Sequence, residues 1–226
     1  MLSLLPPRGL IVSCQAPSDS PLHAPEVIGA IAQAALLRGA VGVRLDTPAH
    51  VQAVRQRLPQ ALIIGLWKRQ YPDSPVYITP CFDQAVAIAA AGADVIALDC
   101  TLRPRAKGET FPRIIERIHR DLGKAVMADI DTLEAGIAAA ETGADWVGTT
   151  LYGYTEATQH LTPPGFDLLA DLTQHLSVPI LCEGGIASPD QAAHALGLGA
   201  AAVVVGTAIT GIDLQVAAYA QALQAL

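Results

Sequence analysis

The chain has 226 residues, of which 51% are apolar, 15% charged and 4% aromatic, and its formal net charge is −7 at pH 7. This size and aliphatic make-up suit one domain spanning 1–226 and exclude a disordered chain. The acidic balance, with no basic stripe to neutralise phosphates, argues against a nucleic-acid partner.

A beat repeats along the sequence. Helix-like stretches end in Gly-Ala at Gly39-Ala40, Gly92-Ala93, Gly143-Ala144 and Gly199-Ala200, and an aliphatic run follows each. Short aliphatic runs of this kind read as parallel strands buried on both faces. In chain order the strands are expected at 10–13, 41–44, 62–67, 95–99, 126–130, 146–150, 179–183 and 202–206. They end at or near Gln15, Arg44, Lys68, Asp99, Asp129, Thr149, Glu183 and Gly206.

The stretches between them read as helices. Residues 26–37 place Val27, Ile31, Ala34 and Leu37 on one helical face. Thr47-Pro48 and Ser188-Pro189 each put a capping residue before a first-turn proline. Asp131-Thr132-Leu133-Glu134 has capping-box spacing with Asp131 as the cap. A last helix begins near Asp213. The longest irregular connection, 69–80, is rich in Pro, Asp and Tyr and has the length of a lid. Arg103, Arg105 and Lys107 form a local basic cluster, read first as a solvated loop and second as a substrate contact.

Eight strands alternating with helices fit an α/β fold, either a (β/α)8 TIM barrel or an open doubly wound sheet. No G-x-G-x-x-G follows the first strand and no G-x-x-x-x-G-K-[ST] occurs, so the barrel is favoured. Cys14, Cys81, Cys100 and Cys182 form no C-x-x-C pair and read as buried thiols of a reducing, cytoplasmic compartment. The first residues lack the basic region of a signal peptide. Residues 192–212 carry no Asp, Glu, Lys or Arg, but four glycines and Val203-Val204-Val205 split them into helix, turn and strand. No membrane span is expected.

In a barrel the carboxyl ends of all strands converge, so the residues at those ends nominate the site. Glu183-Gly184-Gly185 and Gly206-Thr207 end the last two strands, where backbone N–H groups often cradle a phosphate. Lys68 ends a packed aliphatic run and suits a Schiff base or a general base with a lowered pKa. Glu183, Asp129 and Asp99 are the nearby carboxylates, and each, Asp99 above all, has the alternative of capping the helix that follows it. Asp129 would raise the lysine pKa by pairing with it, and Arg44 would lower it. Gln15 and Arg44 are donors for sugar hydroxyls or an oxyanion; alternatively Arg44 pairs with Asp46 or another mouth carboxylate. None of the six histidines falls at a strand end, so proton transfer without a metal is expected. His23, in the first loop, is read first as a surface residue and second as the one histidine in contact with the site. Trp67 and Trp146 read as packing residues.

The same residues carry a likeness. The stretches L-I-V-S-C-Q-A, S-P-L-H-A-P-E, G-A-V-G-V-R and I-G-L-W-K-R-Q-Y-P-D-S-P-V-Y-I-T-P come first. G-A-D-V-I-A-L-D, M-A-D-I-D-T-L-E, V-G-T-T-L-Y-G-Y-T, C-E-G-G-I and A-V-V-V-G-T-A-I-T follow. In this order, over nearly the whole chain, they resemble the N-acylglucosamine-6-phosphate 2-epimerases, also called N-acetylmannosamine-6-phosphate 2-epimerases. The resemblance implies a ribulose-phosphate-binding type of barrel. It implies interconversion of N-acetylmannosamine 6-phosphate and N-acetylglucosamine 6-phosphate at carbon 2, in amino-sugar and sialic acid catabolism. No metal or cofactor is implied, and a homodimer is.

By that pattern Lys68 and Glu183 exchange the carbon-2 proton and Asp129 orients the lysine. Gln15 and Arg44 contact the sugar, and Gly185, Gly206 and Thr207 contact the phosphate. Two positions depart from the pattern: Cys100 stands where alanine is expected in A-L-D-A-T-x-R, and Gly185 where a basic residue is frequent. Two other readings stay open. One is an aldolase or synthase that forms an imine at Lys68; the other is a non-catalytic barrel that binds a sugar phosphate.

Overall fold

The computed structural model describes residues 6–224. Eight parallel strands close into a barrel in sequence order, with β1 hydrogen-bonded to β8. They are β1 Leu10–Cys14, β2 Gly42–Asp46, β3 Ile63–Leu66, β4 Val95–Asp99, β5 Ala125–Asp129, β6 Trp146–Gly148, β7 Ile180–Glu183 and β8 Ala202–Val205. Every bound lies within two residues of the expected one. The helices are α1 Pro25–Leu37, α2 Pro48–Arg57, α3 Phe82–Ala90, α4 Phe111–Arg117, α5 Leu133–Glu141, α6 Phe166–His175, α7 Pro189–Gly197, α8 Thr207–Thr210 and α9 Ile212–Gln224. The chain is therefore a (β/α)8 barrel.

The period of two along each strand divides the core. Ile11, Ile64, Leu66, Val95, Ala97, Met127, Trp146, Leu181, Ala202 and Val204 fill the barrel interior. Val12, Val43, Leu45, Ile63, Ile96, Leu98, Val126, Val147, Cys182 and Val203 face the helix layer. Trp146 is thus interior, and Trp67 packs partly buried against the outer layer. Gly65 lets α3 close on β3, because a Cβ there would lie 2.6 Å from Ile88 and 2.8 Å from Ala93.

Several local expectations change. The buried face of α1 is Ile28, Gly29 and Ala32, and Leu37 is 73% exposed. The stripe is turned by about one residue because small side chains bring α1 onto the sheet and α2. The N-cap of α5 is Thr132, whose hydroxyl accepts from Ala135 N–H. Asp131 is buried and accepts from the Thr155 hydroxyl at 2.7 Å instead. Thr47 and Ser188 do cap α2 and α7.

The 69–80 connection is tied down. Lys68 bridges Ile78, Tyr71 bridges Ser74, and the Thr79 hydroxyl donates to Ala97 O at 2.7 Å. Buried Ile78 closes the interior core below it. Neither reading of the basic cluster describes Arg103 or Arg105. Arg103 donates to Asp99 Oδ2 at 2.7 Å and to Pro75 O, while Arg105 donates to the carbonyls of Asp99 and Pro80. They lace two loops together; only Lys107 of the three is exposed. Among the described residues no helix is long and apolar enough to cross a membrane.

Candidate active site

Strand parity brings the chemistry to one mouth. Counting by twos from the interior residues Ile11, Leu66, Met127, Trp146 and Leu181 reaches Ser13 and Gln15, Lys68, Asp129, Thr150 and Glu183. Arg44 lies between the outward-facing Val43 and Leu45, so it also points inward. These residues, Asp129 excepted, line one cavity of about 950 Å³ together with Asp46, Tyr77, Gly184, Gly185, Gly206 and Thr207. Asp129 lies beneath it, fully buried. A separate concavity of about 480 Å³ between α1 and α2 is reached by no strand end.

Arg44 is the hub. It is 1% exposed, and it holds Asp129 through both carboxylate oxygens at 2.9 and 2.6 Å. Its Nη1 also lies 3.0 Å from Glu183 Oε2. The Thr150 hydroxyl donates to Asp129 Oδ1 at 2.6 Å and lies 3.3 Å from Glu183 Oε2. Burial works against the Arg44 charge, but Asp129 and Glu183 outweigh it and keep the guanidinium firmly protonated. Such a buried pair is costly to break, since either partner alone would leave an uncompensated charge.

Lys68 sits on the other side of the mouth. Its Nζ donates to Gln15 Oε1 at 2.5 Å, and Gln15 Nε2 donates to Ser13 Oγ at 3.0 Å. Its backbone N–H is fixed by Asp46 Oδ1 at 2.9 Å. Burial of the amine pushes its pKa below the usual 10.5, aided by Arg44 and opposed by Asp46, Glu183 and Asp129. The side chain is exposed at the mouth, so water tempers the shift. Burial pushes Glu183 up to about 7, with Asp129 adding to the rise and Arg44 opposing it. The lysine and the glutamate are therefore moved toward each other and toward neutrality.

Sequence reasoning placed these residues at one mouth, but some partnerships differ. The direct partners of Asp129 are Arg44 and Thr150, and that of Lys68 is Gln15; no Asp129–Lys68 hydrogen bond is made. Arg44 takes two mouth carboxylates other than Asp46. Gly184 and Gly185 have φ of +99° and +72°, a left-handed path that suits glycine. A Cβ on Gly185 would also lie 2.4 Å from Pro163, so packing alone demands glycine there. Gly206 leads into α8 and Thr207 is exposed at the rim. His23 also lines the mouth, its Nδ1 3.0 Å from Ala16 O.

Thr150 and Tyr77 were missed. The signal for Thr150 was available: strand parity from Trp146 selects it rather than Thr149. Tyr77 reaches the mouth through the 69–80 connection, which no periodicity describes. Among the described residues no group of three or more His, Cys, Asp or Glu is arranged to hold a metal ion.

Known proteins resemble this chain along nearly its whole length. A family model described as "Putative N-acetylmannosamine-6-phosphate epimerase" matches residues 28–225. A Synechococcus elongatus protein named "Putative N-acetylmannosamine-6-phosphate 2-epimerase" is 70% identical over 218 residues, 96% of this chain and 94% of its own. A Cutibacterium acnes protein of the same name is 45% identical, covering 89% and 88%. The solved N-acetylmannosamine-6-phosphate 2-epimerase from Clostridium perfringens superposes with a TM-score of 0.92 at 37% identity, over 98% of this chain and 96% of that one. The chain belongs to the N-acetylmannosamine-6-phosphate 2-epimerase family.

Proposed function

We propose that this chain interconverts N-acetylmannosamine 6-phosphate and N-acetylglucosamine 6-phosphate by exchanging the proton on carbon 2. The observation that carries the reading is the Lys68–Glu183 pair: an amine lowered and a carboxyl raised, facing one cavity. An epimerase needs a base on one face of the carbon and an acid on the other, each poised near neutral pH.

Carbon 2 is acidic only when carbon 1 is an aldehyde, so ring opening precedes proton transfer. One member of the pair removes the proton and the other returns one to the opposite face. The intervening enolate places negative charge on the carbon-1 oxygen. Gln15 and Arg44 supply donors toward the sugar, and the Gly184-Gly185 and Gly206-Thr207 turns are assigned to the phosphate. Phosphate binding would hold the sugar while its carbon 2 reacts. This reading assigns both proton transfers to side chains and calls on no metal or other cofactor.

Single replacements test the pair. Lys68→Ala and Glu183→Gln are each expected to lower conversion by about 10² to 10⁴-fold in EDTA. Conversion within a few-fold of the parent would remove that residue from the chemistry. Borohydride added with substrate separates the imine reading, which alone attaches sugar irreversibly to Lys68.

We also infer a homodimer and a cytoplasmic location. Supporting the first, α9 has no buried residue, and its Ile212, Val216, Tyr219 and Leu223 form one apolar stripe, 54–72% exposed. A stripe of that kind needs a partner in water. Supporting the second, the four cysteines are unpaired and buried, as suits a reducing compartment.

A further inference from the structure

The ladder between β6 and β7 runs through Val147–Ile180 and Gly148–Leu181, and then β6 turns away. The carbonyl of Thr149 leaves the sheet to accept Tyr152 N–H at 3.1 Å. The amide of Glu183 thereby loses the backbone acceptor that a continued parallel ladder would offer. The Thr149 hydroxyl takes its place. It accepts Glu183 N–H at 3.1 Å and donates to Glu183 O at 2.9 Å. Thr149 is fully buried, so this side chain clamps both backbone polar groups of Glu183 in a dry setting.

The next residue reaches the other end of the same glutamate. Thr150 Oγ1 touches Asp129 Oδ1 and Glu183 Oε2, the two oxygens that Arg44 Nη1 also spans. Thr150 and Arg44 therefore close a ring of four polar groups around one carboxyl edge. Gly148 makes room for it, because a Cβ there would lie 2.4 Å from Met127 and 3.6 Å from Asp129 Oδ1. The G-T-T sequence thus has a distinct use at each position: no side chain at 148, a backbone clamp at 149 and a side-chain clamp at 150.

We propose that Thr149 and Thr150 are positioning residues that fix Glu183, the first through its backbone and the second through its carboxyl. Neither exchanges a proton with the sugar. The role rests on the reading of Glu183 as a proton carrier, and one displaced carrier can cost about 10²-fold in rate.

The test compares Thr150→Val, which removes the hydroxyl at similar shape, with Thr150→Ser, which keeps it. Thr150→Val is expected to lower kcat by about 10- to 100-fold with KM changed less than about threefold, and Thr150→Ser to restore most of it. A second readout needs no turnover. Glutamate carboxyls labelled with ¹³C are titrated by NMR, with Glu183 assigned by its loss in Glu183→Gln. Loss of a donor to the paired carboxylates is expected to move the Glu183 midpoint upward in Thr150→Val and leave it unmoved in Thr150→Ser. Thr149→Ser, which keeps both backbone contacts, is expected to retain the parental midpoint.

An unmoved midpoint in Thr150→Val, or equal loss of kcat in the Val and Ser variants, would overturn the proposal. A moved midpoint in a protein that never exchanges carbon-2 hydrogen would leave the clamp standing and defeat the epimerase reading. If Thr150→Val fails to fold, the Ser variant carries the comparison, and a large kcat loss in it would also overturn the proposal.

Discussion

In the proposed mechanism Lys68 and Glu183 share one proton between them. In one direction the lysine is the acid and the glutamate the base; in the other the roles reverse. Both directions use the singly protonated pair, so both have the same pH profile. With Glu183 raised to about 7 and Lys68 lowered from 10.5, kcat/KM is expected to fall below about pH 7 and again on an alkaline limb below pH 10.5. Profiles measured from each epimer should superimpose. A flat profile from pH 5 to 7 would contradict a Glu183 carboxyl raised by burial. The same shift affects folding. Glu183 sits above its usual 4.5, so its contribution to stability is present in acid and lost as pH rises through about 7.

At the scale of elements, period and punctuation were enough to locate all eight strands. Aliphatic runs bounded by Gly-Ala turns carry their own boundaries, and a barrel buries both faces of each strand. Helix faces were harder to read. In α1 apolar residues stand on nearly every side, so two neighbouring stripes differ little in hydrophobicity, and fit to the sheet selects Ile28 and Ala32. That fit depends on glycine elsewhere. Gly65→Ala would push a methyl into Ile88 and Ala93, both fully buried, and is expected to cost about 1–3 kcal/mol. Urea unfolding reads this as a lower midpoint at unchanged slope. A midpoint equal to the parent would mean that α3 can retreat from β3 freely. Loop partners such as Arg103 with Asp99 lay beyond the sequence, because they depend on how two connections fold over each other.

For the whole molecule, the convergence of these residues at one mouth was legible because the barrel collects strand ends, while their pairing was not. Whether Asp129 meets Lys68 or Arg44 depends on distances across the mouth, set by strand tilt rather than by order in the chain. The outer surface poses a different question. Light scattering is expected to give twice the chain mass, and Val216→Asp with Tyr219→Asp on α9 to give a monomer. Unchanged mass in that double variant would show that the apolar stripe does not form the interface.

The central claim is proton exchange at carbon 2, and one measurement reaches it directly. N-acetylmannosamine 6-phosphate is incubated with the pure protein and EDTA in D2O, and one-dimensional NMR follows the product. The account predicts the gluco epimer with deuterium at carbon 2, formed at a rate that Lys68→Ala and Glu183→Gln each lower by about 10² to 10⁴-fold. Conversion with the original hydrogen retained, or no conversion at all, would contradict it.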